Sequence, residues 1–270
     1  MHGENRYSGM KISYYTKISI ISAVFAAMLV FVPWNPVEAK RRKEKRSYDC
    51  SEKFQRVKKR FEKERFTYVK NNCNEIRMNC SGHEIMDSAT YYLARAQMLT
   101  KNPAEAKIEF QQIVRDYPQS PFAEEARFRI GHCSLLESKS YERDQSMTRE
   151  AIRELRDFVM MNPESLFADS AKTYLRRAVE KLARKEFNNA RFYEKIDEYE
   201  AAVVYYQVLI EEFPDSKYVP RAKLNMAEDL MQVNRENEAK AILKELLDSS
   251  VSSEIRSRAK TLKERLEKSG

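Results

Sequence analysis

From residue 50 onward, apolar positions recur at intervals of three and four, the period of helices that bury one stripe. Alternation of the kind a strand needs is almost absent. A longer rhythm lies over the short one. Small or apolar residues stand at Val57, Ala94, Gly131, Ala190 and Ala227, spaced 37, 37, 59 and 37 apart. Twelve residues after four of these come Val69, Ala106, Ala202 and Ala239, and in the middle unit Ala151 follows after twenty. Four further on stand Cys73, Phe110, Leu155, Tyr206 and Leu243. Three units close on proline, at Tyr117-Pro118, Asn162-Pro163 and Phe213-Pro214. The spacing predicts stacked helix pairs. The first small residue lets the second helix approach closely, the large residue fills the gap on the same face, and proline ends the pair.

Two insertions break the rhythm. Eight extra residues fall around Ser138–Ser146, within the third unit. Fourteen more precede Ala190, where residues 165–194 carry neither Gly nor Pro. Apolar residues at Phe167, Ala171, Tyr174, Leu175, Ala178 and Leu182 make that stretch one long helix or two nearly continuous ones.

The N-terminus follows another logic. Arg6, Lys11 and Lys17 precede an apolar run over residues 18–32, which as a helix spans roughly 22 Å, short of the ~30 Å hydrocarbon core. With small residues at Val37 and Ala39, residues 1–39 have the layout of an export signal cleaved before Lys40, an uncleaved anchor being the alternative. No Cys ends the apolar run, and Cys50 lies eighteen residues beyond it. Residues 40–49 read as a basic leader, 50–163 as three repeats, and 164–270 as the long helix, two further repeats and a final helix.

Composition narrows the function. The 270 residues hold only five glycines, too few and too scattered for a dinucleotide loop or a P-loop. The net charge of +8 suggests a polyanion partner until it is located. Residues 40–46 contribute +5, while residues 47–270 carry 40 basic and 38 acidic groups. The excess is a tail, suited to anionic lipid headgroups or to no contact at all. A nucleic-acid groove along the folded body is not expected. The histidines, His2, His83 and His132, show no metal-ligand spacing. No nucleophile elbow or zinc-protease signature occurs, so neither catalytic residues nor metal nor cofactor are expected.

The order of small, small, large and Pro resembles the tetratricopeptide repeat. The implied fold is all-α: a helix–turn–helix superhelix of about five repeats with a long helix between repeats three and four. Residues 141–214 further resemble the BamD family, the tetratricopeptide component of the bacterial machinery that inserts β-barrels into the outer membrane. Glu142-Arg143-Asp144-Gln145, Thr148-Arg149-Glu150-Ala151-Ile152, Ala190-Arg191-Phe192-Tyr193 and the stretch from Tyr205-Tyr206 to Phe213-Pro214-Asp215-Ser216 carry that likeness. It implies a non-enzymatic scaffold at the periplasmic face of the outer membrane. Its partners would be the β-barrel insertase subunit and the C-terminal segments of unfolded outer-membrane proteins. The chain departs from the family in lacking a lipidation box and in a poorly formed first repeat. A periplasmic adaptor for division or cell-wall enzymes shares the generic repeat residues. An enzyme in such a superhelix would need acid–base groups converging on a pocket.

In this repeat family the first helices line the concave face. The relevant positions read Phe54/Lys58, Tyr91/Arg95, Phe128/His132 and Phe187/Arg191, with Leu224/Glu228 in the fifth unit. A ring with a base four residues later predicts a ladder for an extended peptide, the rings taking apolar side chains and a cation pairing with a terminal carboxylate. The competing expectation is that the rings pack between neighbouring first helices and the bases are solvated. By the resemblance, residues 197–247 would meet the insertase's periplasmic domains, with Tyr205 first among the contacts. Cys50 opens one helix of the first pair and Cys80 ends the other, so antiparallel packing would bring them within bridging distance. Cys73 and Cys133 read as small buried apolar residues.

Overall fold

The computed structural model describes residues 48–269, so the signal over residues 1–39 and the basic tail over 40–46 lie outside the described residues. From Cys50 the chain forms one compact unit of eleven helices, with no strand among the described residues. In order these are α1 (Cys50–Glu62), α2 (Phe66–Asn79), α3 (Met86–Leu99), α4 (Pro103–Asp116), α5 (Ala123–Glu137) and α6 (Ser146–Met161). Then come α7 (Ala168–Glu194), α8 (Tyr199–Glu212), α9 (Val219–Gln232), α10 (Glu236–Asp248) and α11 (Ser253–Ser269). Each helix packs on the next in sequence, giving five stacked pairs, and α11 closes the stack against α9 and α10. This is the tetratricopeptide-like all-α superhelix that the spacing predicts.

The residues of the ruler are the core. Val57, Ala94, Ala190 and Ala227, their partners Val69, Ala106, Ala151, Ala202 and Ala239, and the large set Cys73, Phe110, Leu155, Tyr206 and Leu243 are all fully buried. Gly131 shows what the first position requires. A Cβ built there would lie 2.8 Å from Leu155 Cγ and 3.2 Å from its backbone nitrogen, so α6 crosses α5 on bare backbone.

Two turn devices repeat in register with the ruler. Seven residues after the small residue of the first helix, Glu64, Lys101, Asp197 and Asn234 all adopt left-handed backbone, with φ between 56° and 62°. The following N–H in each case reaches back five residues, as in Arg65 N–H to Arg60 C=O at 2.9 Å and Glu198 N–H to Tyr193 C=O at 3.0 Å. These are Schellman closures, a conformation usually given to glycine. Left-handed backbone is thus present although glycine is scarce. It falls on Glu, Lys, Asp and Asn, at a steric cost of about 1–2 kcal/mol for an ordinary side chain.

The second device lies fourteen residues after the second small residue, at Ser120, Ser165 and Ser216. Each hydroxyl accepts the N–H two residues on, opening the next helix, at 3.2, 3.1 and 3.2 Å. Each also donates back to an acid of the preceding unit: Asp87, Glu124 and Glu180. In the first unit His83 takes the serine's place, its Nδ1 accepting from Ile85 N–H at 3.3 Å.

The two insertions form one assembly. The fourteen extra residues make α7 a single helix of 27 residues, about 40 Å long. Its first half packs on α6 and its second half pairs with α8, with Phe187 edge-on to Tyr206 at 5.7 Å. The eight extra residues, between α5 and α6, fold around Gln145, which is almost wholly buried. Its amide donates to the carbonyls of Ser140, Arg143 and Asp144 and accepts from the Thr148 hydroxyl at 2.7 Å. Lys181 of α7 holds the Ser138 carbonyl at 3.1 Å, and the Arg184 guanidinium lies 4.2 Å from the centre of the Tyr141 ring.

Cys50 and Cys80 form a disulfide that joins the start of α1 to the end of α2. Cys73 and Cys133 are free thiols buried in the core, and burial pushes both up to about 12.

Candidate peptide-binding face

The rings expected to receive a ligand are largely inside the stack. Phe54 is buried and edge-on to Tyr92 of α3 at 5.5 Å. Tyr91 is 8% exposed and stacks on Phe122, in the turn before α5, at 4.2 Å. Phe128 is 2% exposed and stacks on Phe167 and on Tyr174 of α7. Phe187 is half-buried between Tyr206 and Tyr218. All four join one unit to its neighbour, and Phe54, Tyr91 and Phe128, being buried, as placed cannot take a ligand's apolar side chains. The geometry follows the competing expectation for the rings, because a flat ring facing the next first helix fills the inter-unit gap.

The bases are a different matter. Lys58 lies over the Phe54 ring at 5.5 Å. Arg95 donates to the Tyr91 hydroxyl at 2.6 Å and to Glu125 of α5 at 3.0 Å. Glu125 also accepts from the Tyr91 hydroxyl at 2.7 Å and from Arg129 at 2.9 Å. One carboxylate thus serves two guanidiniums and leaves a unit of positive charge on the face. Burial first, and then the hydrogen bond to Glu125, push the Tyr91 hydroxyl up to about 12, so Tyr91 stays a neutral donor.

His132 stacks on Tyr174 at 4.0 Å. Burial, with the charges of Arg129 and Arg177 adding to it, pushes its imidazole down to about 4, so it is neutral at physiological pH. Its Nδ1 is buried without a partner. Arg177 is exposed over the Tyr174 ring at 5.6 Å and makes no ion pair among the described residues. Arg191 is exposed and pairs with Glu194 on its own helix at 2.9 Å.

The face therefore carries a strip of cations, Arg95, Arg129 and Arg177, over a floor of packed rings. Arg129 and Arg177 belong to it although the position count passes over them. The Glu125/Arg129 pair, four residues apart in Ala123-Glu124-Glu125-Ala126-Arg127-Phe128-Arg129, was the signal available for one. Arg177 enters through the extra length of α7, which no repeat register assigns. Tyr205, the expected partner contact, is half-buried and stacks on Tyr193 at 5.1 Å, beside exposed Phe192 and Ile196. Among the described residues no cluster of His, Cys, Asp and Glu could hold a metal ion, and no helix is long and apolar enough to cross a membrane.

Comparison with known proteins adds an independent line. The family model for YfiO, described as an outer membrane lipoprotein, matches residues 46–246. The outer membrane protein assembly factor BamD of Caulobacter vibrioides is 28% identical over 137 residues, covering 51% of this chain. The match spans 45% of that relative's own length. A solved thermophilic tetratricopeptide-repeat protein of Thermus thermophilus aligns over 79% of this chain and 98% of its own, at 14% identity and a TM-score of 0.35.

Proposed function

The chain belongs to the YfiO family of outer membrane lipoproteins, and from that premise we propose that it is a non-enzymatic scaffold for assembling outer-membrane β-barrel proteins. On this reading it works at the periplasmic face of the outer membrane. It holds a segment of an unfolded barrel protein along α3, α5 and α7 and meets the barrel-forming insertase through α8, α9 and α10. The name of the Caulobacter relative supports the role. The observation that carries the binding mode is the cation strip, in which Arg95 and Arg129 share Glu125 and Arg177 lies unpaired at the surface. An extended chain ending in a carboxylate complements it, while the buried rings fix the spacing of the cations rather than gripping side chains.

The tether needs its own account in a family of lipoproteins. A lipoprotein carries its diacylglycerol on a cysteine sulfur. Here Cys50 is bonded to Cys80, and Cys73 and Cys133 are core residues. These are all four cysteines of the chain. We infer that the chain is held at the membrane without acylation of its cysteines, through the apolar run of residues 18–32, the basic tail of residues 40–46 or its protein partners.

Two measurements test the role. Crosslinked membranes are solubilised and the protein recovered: capture of a large β-barrel protein is expected, and capture of peptidoglycan enzymes instead would replace the proposal with the cell-wall adaptor. Fluorescence anisotropy with a barrel-derived C-terminal peptide should show Arg177→Glu binding at least tenfold more weakly, with helicity unchanged. Equal affinity for both proteins sinks the strip.

A further inference from the structure

Where the fourth helix pair meets the fifth, three carboxylates gather around few cations. Glu194, at the end of α7, accepts from the Tyr206 hydroxyl of α8, from the Asn225 amide of α9 at 3.4 Å and from Arg191 at 2.9 Å. Asn225 also donates to the Tyr206 hydroxyl at 2.8 Å. Glu228 of α9 accepts from Arg258 of α11 at 2.7 Å. Asp229, the next residue, is 4% exposed, and its Oδ2 is buried with no hydrogen-bond partner. Arg191 and Arg258 are thus already engaged by other acids, and one oxygen of the third acid is buried unpaired. A carboxyl group so enclosed favours its protonated form.

We propose that Asp229 is a proton-operated latch between the fourth and fifth helix pairs: protonated, it lets α9 seat against α7 and α8, and ionised, it loosens α9 and α10. The groups facing it are Arg191 and Glu194 from α7, Tyr199 and Tyr206 from α8, Glu228 within α9 and, at one remove, Asp197 through Tyr199 and Arg258 of α11 through Glu228. Burial, with the negative charges of Glu194 and Glu228 adding to it and Arg191 opposing, pushes the Asp229 carboxyl up to about 7. The Tyr199 and Tyr206 hydroxyls are both shifted upward, Tyr199 first by its bond to Asp197 and Tyr206 first by burial, so they stay neutral. The sign follows from linkage. Between pH ~4 and ~7 the folded chain holds a proton that the unfolded chain has released, so stability falls as pH rises through that window and levels off above it. Loosening α9 and α10 would also alter the proposed insertase contact, a consequence that rests on the function above; the latch itself does not.

The test is hydrogen exchange followed by mass spectrometry on the folded protein from pH 5.5 to 8.5, corrected for intrinsic exchange. Peptides from α9 and α10 should lose about tenfold in protection between pH 6 and pH 8, the change expected for a carboxyl raised to about 7. Peptides from α3 to α6 should not lose protection; in α5 it should instead rise a few-fold, because buried His132 is held down to about 4 and the unfolded chain binds its proton first as pH falls. Asp229→Asn, neutral and of the same shape, should flatten the profile, and Glu194→Gln should move the loosening to lower pH by removing a repelling charge. A flat profile in the unaltered protein overturns the latch, as does a tenfold slope that survives in Asp229→Asn or fails to move in Glu194→Gln. The two substitutions act on different sides of the cluster, so either one that folds decides the matter.

Discussion

Replacing Gly131 by alanine sets two known effects against each other at one atom. Alanine in a helix interior is favoured over glycine by about 0.8–1.0 kcal/mol. At this position the added Cβ would stand 2.8 Å from Leu155 Cγ, 2.9 Å from Cδ2 and 3.2 Å from the Leu155 nitrogen. Ordinary carbon contacts lie near 3.5–4.0 Å. The Cγ is a branch point and the nitrogen belongs to α6 itself, so no rotation of one flexible tip relieves the clash. The helix must back away by several tenths of an ångström, and overpacking of this kind costs about 1–3 kcal/mol. The net expectation is a loss of about 1 kcal/mol. Urea denaturation followed by circular dichroism measures it, with hydrogen exchange of α5 and α6 alongside because stacked repeats need not unfold together. The loss should shrink in a Leu155→Ala background. That change alone costs about 2–5 kcal/mol, but it removes the two side-chain contacts and leaves only the 3.2 Å approach to the Leu155 nitrogen, so adding Gly131→Ala then costs less than in the unaltered protein. If Gly131→Ala stabilises the unaltered protein, or costs as much in both backgrounds, the close approach of α5 and α6 is wrong.

Other consequences follow from the turns and the disulfide. Cys50→Ser opens a covalent loop with a sequence separation of 30, which costs about 3–4 kcal/mol on the chain-entropy account. The loss should appear as faster exchange in α1 and α2 and leave α8 to α10 unchanged; uniform loss along the chain would contradict it. Glu64→Gly should raise the denaturation midpoint, since the left-handed cost of about 1–2 kcal/mol outweighs the added freedom of glycine in the unfolded chain, about 0.5–1 kcal/mol. Ser216→Ala removes the donor to Glu180 and the acceptor for Tyr218 N–H, and a loss of about 1–2 kcal/mol is expected at the α8–α9 turn. Metabolic labelling with radioactive palmitate should leave this chain unlabelled, and incorporation at any of the four cysteines would refute the tether argued above.

The candidate site was only half legible in the chain. Ring positions Tyr91 and Phe128 were correctly placed on the first helices, yet their direction was not readable, because residues i and i+4 share a face that is half interior and half groove. Which half a ring occupies depends on the next helix. Phe122 and Tyr174, arriving from elsewhere in the chain, cover them. Glu125 becomes the centre of the face only because Tyr91 and Arg95 reach it from residues 30 to 34 positions away.

The local arrangement was more accessible than it first appeared. Glu64, Lys101, Asp197 and Asn234 fall seven residues after the ruler's first small residue, and His83, Ser120, Ser165 and Ser216 fourteen after its second. Both turns are written in the chain and could be read once the helix pairs were in register. The sequence by itself determined the helix pairs, their order and the close-contact positions, because these depend on period and side-chain size; that the stretch before Ala190 is one helix and not two was settled by the helices packed on its two halves. Only the tertiary structure decided that the rings face inward, that two arginines share one carboxylate and that Asp229 is left without a partner. Burial and counter-charges come from helices distant in sequence, and no local pattern records which of a helix's charges its neighbours have already engaged.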